Sequence, residues 1–203
     1  MDKTPIMYTE EQMDEILGYI HEALGKDDDY IAHEIRSKYV HTDVAIIAPE
    51  DDAKTYVTFG MGARAMNSPF EEWERTELVM SASEQFDTQS KLELILAGEL
   101  TGLSKFPFRN DTWFGPGHTV GASKEFQEAF GYDCFIFFSP NLFTEITDIG
   151  KVNFLVAVPI YNDEREWIME NDSFTFLEAL WDKFDGDMLR VDIRREHFIP
   201  AHE

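Results

Sequence analysis

A chain of 203 residues with 43% hydrophobic side chains and 17 phenylalanines can bury a full core, which excludes an intrinsically disordered protein. Forty acidic against 17 basic residues leave a formal charge of −23, distributed as −10, −7 and −6 over residues 1–52, 53–150 and 151–203, so the acidity coats the whole chain and is not a tail. That surface repels nucleic acid and anionic membranes as direct partners, attracts a basic one, and serves equally well for solubility alone.

Cys134 is the one cysteine, which excludes a disulfide within the chain and a thiolate zinc site. Residues 1–5 lack the basic-then-apolar pattern of a signal peptide, and the longest apolar stretch, 154–160, has the length of a strand. A cytoplasmic, single-domain protein of residues 1–203 is the expectation.

Thr9 and Gln12 form a capping-box pair, and Met13, Ile16, Leu17, Ile20 and Leu24 then recur at helical spacing up to Gly25. Residues 27–29 read as a loop or as the start of a second helix through Ile31 and Ile35, with His33 on its surface. Residues 44–48 form a strand closed by Pro49, residues 50–54 a polar turn, and 56–59 the returning strand of a hairpin. Gly60-Met61-Gly62 breaks the pattern before a third strand at 77–80. Short connections between consecutive strands point to an antiparallel or mixed sheet. Helical spacing returns over 88–103. Pro107, Gly115, Pro116 and Gly117 make 106–121 irregular. Strands follow at 134–138, stopped by Pro140, and at 152–158, stopped by Pro159. Helices start at Asp163 and Ser173, the second placing Phe174, Leu177, Trp181 and Phe184 on one face. Residues 189–194 alternate as an edge strand.

Chemical motifs are sparse. Gly60-Met61-Gly62 follows a strand but lacks the third glycine and the lysine of a phosphate loop, so it reads as a tight turn. The six histidines show no His-Glu-x-x-His spacing. His118 is the best imidazole for a function, though a histidine bonded to its own loop is the commoner case. Cys134 opens an apolar strand and reads as a small buried residue. No Gly-x-Ser-x-Gly elbow aims a serine, and among 40 acids no pair stands out as acid and base. No catalytic residue, metal or cofactor is expected.

The segments that remain are 56–67, 74–80, 113–120, 156–166 and 191–195. Their order resembles the suppressor-of-fused-like domain found in many bacterial proteins. That family shows Thr-x-Gly-Met-Ser-x-x-x-Met, an acidic Glu-Leu strand, a Gly-His-Thr loop, Pro-Ile-Tyr-x-x-Glu and a late Asp-x-x-Arg. The resemblance spans roughly residues 15–196, with Phe59 and Gly62 departing from the pattern. It marks Gly60, Met61, Met66, Glu77, Pro159, Tyr161, Arg165, Asp192 and Arg194 as motif positions, with Glu77 and Arg165 in structural polar contacts. It implies an α+β fold, a mixed and largely antiparallel sheet flanked by helices, with no catalytic residues to carry over.

The function it implies is protein binding. One form is an immunity-type or regulatory protein that neutralises a partner, such as a basic toxin. Another is recognition of a peptide in a groove or at a sheet edge, as the animal relative grips a transcription factor. A hydrolase using His118 is a third, weaker alternative. Trp113, Phe114, His118, Glu71, Glu72 and Glu74 are the expected partner-binding residues.

Overall fold

In the computed structural model, residues 4–25, 30–35, 37–47, 54–82, 90–184, 190–191 and 195–200 are described. Among them, nine strands form one sheet: β1 (Tyr30–Ala32), β2 (Asp43–Ile47), β3 (Lys54–Phe59), β4 (Thr76–Ala82), β5 (Thr119–Gly121), β6 (Cys134–Phe138), β7 (Phe143–Ile146), β8 (Gly150–Ile160) and β9 (Arg190–Val191). Their order is β1-β2-β3-β4-β8-β6-β5, with β7 added to β8 and β9 to β4. The β4–β8 and β4–β9 pairs are parallel and the others antiparallel. The architecture is the mixed, largely antiparallel α+β fold expected.

Among the described residues, six helices cover the sheet: α1 (Glu10–Leu24), α2 (Lys91–Ser104), α3 (Phe106–Asn110), α4 (Lys124–Phe130), α5 (Asn162–Glu170) and α6 (Ser173–Phe184). Alternating strand residues feed two cores, because successive side chains point to opposite faces of a sheet. Val44, Ile46, Phe135 and Phe137 pack with Leu96, Leu100 and Phe126 from α2 and α4. Ala45, Ile47, Ile136 and Val158 pack with Ile16, Ile20, Phe176 and Leu180 from α1 and α6. With both faces covered, the central strands are apolar throughout rather than alternating.

The capping box at Thr9 and Gln12 forms, and Ile16 and Ile20 are fully buried. Three expectations need correction, and one is sharpened. Ile31 lies in β1, paired with Ala45, and not in a helix, because the β2 edge offers it backbone partners. The 106–121 segment holds α3 and β5; Pro107 sits in the first turn of α3, where no helical N–H is required. Pro159 does not stop β8. Its carbonyl accepts from the Arg195 guanidinium at 3.1 Å, so its absent N–H faces the same way, past the point where β4 leaves β8 at Val156. On α6 the core takes Phe176, Leu177 and Leu180, leaving Phe174 and Trp181 exposed. The turn expected at 50–54 lies outside the described residues apart from Lys54, and Asp192 and Arg194 lie wholly outside them.

Candidate protein-binding face

The motif residues converge on two buried carboxylates. Glu77, on β4, is fully buried and accepts four hydrogen bonds. The Tyr8 hydroxyl donates at 2.8 Å, Thr58 Oγ1 at 2.6 Å, and the backbone N–H groups of Gly60 and Gly62 at 2.9 Å each. Burial pushes the Glu77 carboxyl up, and the donors pull back only part of that rise. The tyrosine is pushed up as well, first by burial and then by the facing carboxylate.

Two glycines make this cradle possible. Gly60 has φ +131°, and a Cβ there would lie 2.0 Å from the His41 carbonyl oxygen. At Gly62 a Cβ would meet the Tyr8 hydroxyl at 2.4 Å, so Tyr8 occupies the space that a larger residue would need. Met61 and Met66 are buried around the turn, and the Met66 N–H donates to the Glu74 carbonyl at 2.7 Å.

The second carboxylate is Glu164, at the start of α5. It is fully buried and receives Arg195 Nη1 and Nη2 at 2.7 Å each, with the N–H groups of Tyr161 and Phe198 at 2.9 Å. The Tyr161 hydroxyl donates to the Arg195 carbonyl at 2.5 Å, and the His197 ring stacks on Tyr161 with centroids 3.6 Å apart. Together they fasten residues 195–200 to the body of the protein. Sequence reasoning chose Arg165 and Arg194 and missed Glu164 and Arg195. The signal was present: Pro-Ile-Tyr-x-x-Glu ends on Glu164, and Asp-x-x-Arg counted from Asp192 ends on Arg195. Arg165 instead donates from Nε to Thr119 Oγ1 at 3.3 Å and lies near Cys134, whose thiol burial pushes up.

Neither carboxylate is open to a partner. The exposed chemistry lies elsewhere, where residues 111–119 run beside α5 and α6. Trp113 is half-buried, holding Phe70 edge-on at 5.6 Å and His118 at 4.4 Å. The loop is fixed from below: the Gly117 N–H donates to the Phe137 carbonyl at 2.8 Å, and the Phe137 N–H to the His118 carbonyl at 3.0 Å.

Two hollows flank this loop. One, of about 470 Å³, runs between Trp113 and His118 on one side and Met169, Asp172 and Ser173 on the other. The other, of about 590 Å³, has Leu177 and Phe138 in it, with Phe174, Trp181 and Pro116 around them and Glu178 and Asp182 from α6. Among the described residues, no lysine or arginine lines either hollow. Among the ten large hydrophobic residues exposed in the described chain, Phe70, Met169, Phe174 and Trp181 all border this region. Exposed apolar side chains grouped in this way are a feature that interaction surfaces share.

The expected binding residues divide on this face. Trp113 and His118 line it. Phe114 also borders the smaller hollow but offers it little surface: it is 2% exposed, stacked on Phe106 at 5.7 Å and against Phe137 at 4.4 Å, and packs mainly in the core. Loop position alone could not show that its ring turns inward. Glu71 and Glu72 are exposed in a short 3₁₀ turn beside Phe70, and the Glu72 carbonyl accepts from the Asn153 side chain. Glu74 is half-buried. Met169, Phe174, Glu178, Trp181 and Asp182 also border the two hollows; the aromatic spacing on α6 puts Phe174 and Trp181 on one face of the helix but does not show that they stay outside the core. Among the described residues, no group of three histidine, cysteine or acidic side chains could hold a metal ion, and no helix is long and apolar enough to cross a membrane.

Comparison with known proteins places this geometry in context. The family model "Suppressor of fused protein (SUFU)" matches residues 38–196. A search of curated proteins finds no match. Among solved structures, a SUFU homolog from Neisseria gonorrhoeae is similar at 18% identity and TM-score 0.67, over 94% of this chain and 100% of its own. Drosophila Suppressor of Fused is similar at 14% identity and TM-score 0.69, over 92% of this chain, which spans 50% of the Drosophila chain. A chain from the Sufu–Fu complex gives 14% identity and TM-score 0.65, over 95% and 92%. At these identities the likeness is one of fold.

Proposed function

Because the chain belongs to the suppressor of fused family, whose members are non-catalytic protein-binding proteins, we propose that it is a single binding domain that engages a partner protein through the face formed by residues 112–118, α5 and α6. The observation that carries this reading is the coincidence of three exposed hydrophobic side chains, Met169, Phe174 and Trp181, with two hollows that no lysine or arginine lines among the described residues, and with Phe70 packed on Trp113 beside them. Aromatic side chains in desolvated pockets dominate the energetics of protein interfaces, and acidic rims select and steer basic partners. His118 has a place here without chemistry, as an edge of the hollow packed on Trp113.

The finer form of the proposal is an immunity-type or regulatory protein that binds a basic partner and neutralises it. The charge of −23 supports this form by accelerating association with a cationic surface. A photo-crosslinking residue in place of Phe174 tests the face in cells, with the equally exposed Phe143 as the control position. A defined protein adduct from position 174 and none from 143 is the expected result. Equal adducts from both positions, or from 143 alone, would overturn it.

A further inference from the structure

The chemistry of the hollow on α6 identifies the kind of segment that fills it. We infer that the occupant is an amphipathic helix of the partner, carrying bulky apolar side chains on one face and lysine or arginine beside them; this rests on the binding face proposed above. Three observations lead there.

The first is shape. Phe174, Glu178, Trp181 and Asp182 fall at i, i+4, i+7 and i+8, so one stripe of α6 borders the hollow. At 1.5 Å per residue the stripe is about 12 Å long, or two helical turns. Phe174 and Trp181 stand at its two ends, 56% and 43% exposed, with buried Leu177 between them. That is a trough with an apolar centre and two raised rings, into which the ridge of a second helix can settle.

The second is charge. Both polar side chains that α6 presents here are carboxylates, and among the described residues no lysine or arginine lines the hollow. An acidic or neutral helix would leave Glu178 and Asp182 uncompensated as water is displaced. A cation one turn from the apolar anchor meets them instead.

The third concerns the backbone. A segment adding as a strand would need free donors and acceptors on the strand beside the trough. That strand is β6, and it is paired with β8 on one side and with β5 on the other. The Gly117 and His118 hydrogen bonds extend the second pairing to Phe137. The edge is closed, so an occupant must bind through side chains, as a helix in a groove does.

A synthetic peptide of leucine and lysine, patterned with leucine at i, i+3, i+4 and i+7, is a direct probe. It is compared with a scrambled peptide of the same composition at physiological salt, so that the general acidity of the chain contributes equally to both. Amide shift changes are expected to cluster on residues 174–182 and 117–118. Affinity should exceed that of the scrambled peptide by about tenfold or more, and should fall about as far in Trp181→Ala and in the double variant Glu178→Lys, Asp182→Lys. Equal affinity for the two peptides, shifts scattered over the acidic surface, or variants that bind like the parent would each overturn the inference. With a partner identified by crosslinking, two failures separate. If Trp181→Ala abolishes partner binding but the patterned peptide does not compete, the helix is wrong and the face stands. If Trp181→Ala leaves partner binding intact, the face itself is wrong.

Discussion

Around Glu77, a charged group is sealed from water and met by four donors. Around Trp181, apolar rings stand in water with carboxylates beside them. Both regions oppose the usual partition of polar outside and apolar inside, and they do so for different ends. An unpartnered buried charge would be intolerable, so Glu77 carries its compensation within the fold. Exposed rings on a folded domain are tolerable, and their compensation can come from another molecule. The residues that identify the family sit in the first kind of region, and the proposed binding face is of the second kind. Family membership is therefore written mainly in the scaffold.

The contrast can be broken most severely at the second buried carboxylate. Glu164→Ala leaves the Arg195 guanidinium, 4% exposed at its side chain, without its bidentate partner. A loss of about 3–5 kcal/mol is expected in urea unfolding, since a stranded buried charge costs more than the pair gained. A loss under about 1 kcal/mol would mean that residues 195–200 are not fastened as described.

Gly62→Ser should cost about 1–3 kcal/mol, because the new side chain must displace the Tyr8 hydroxyl from Glu77. In a Tyr8→Phe background the added cost should be smaller, and a double-mutant cycle reads that difference directly. Strict additivity would show that the two residues do not compete for one space.

The pH dependence is smaller in effect. The folded protein holds the Glu77 proton more tightly than the unfolded chain, whose carboxyl has the ordinary value of 4.5. Between those two values the folded state binds more protons, so this residue's contribution falls as pH rises from about 4.5 through the raised folded value. Comparing unfolding free energies of the parent and Glu77→Gln across that range should show a flatter profile for the variant. Identical slopes would contradict the assignment. The smallest stability effect belongs to the opposite region: Trp181→Ala, with a ring 43% exposed, should change unfolding by about 1 kcal/mol or less.

Much of the scaffold was legible because its signals are local. Thr9 and Gln12 announce the start of α1, and the alternation of Val44, Ala45, Ile46 and Ile47 between two cores explains an unbroken apolar run that reads as a buried strand. What stayed hidden depends on neighbours distant in the chain. β1 exists because β2 offers an edge, and Pro159 continues β8 because no strand claims its missing donor. The binding face was hardest to see. Phe174, Leu177, Trp181 and Phe184 share one side of α6, but only the packing of that helix shows that the core takes Leu177 and leaves Phe174 and Trp181 outside. Conversely, Phe114 looks like a loop aromatic and is a core residue.

The face built from residues 112–118, α5 and α6 is the proposed site of partner binding. Its most direct test is the affinity of the purified partner for Trp181→Ala and Phe174→Ala, measured beside Phe143→Ala, with unfolding curves recorded for all three. The account predicts losses of about tenfold or more for the two face variants at nearly unchanged stability, and parent-like affinity for Phe143→Ala. Parent-like affinity in both face variants would contradict it.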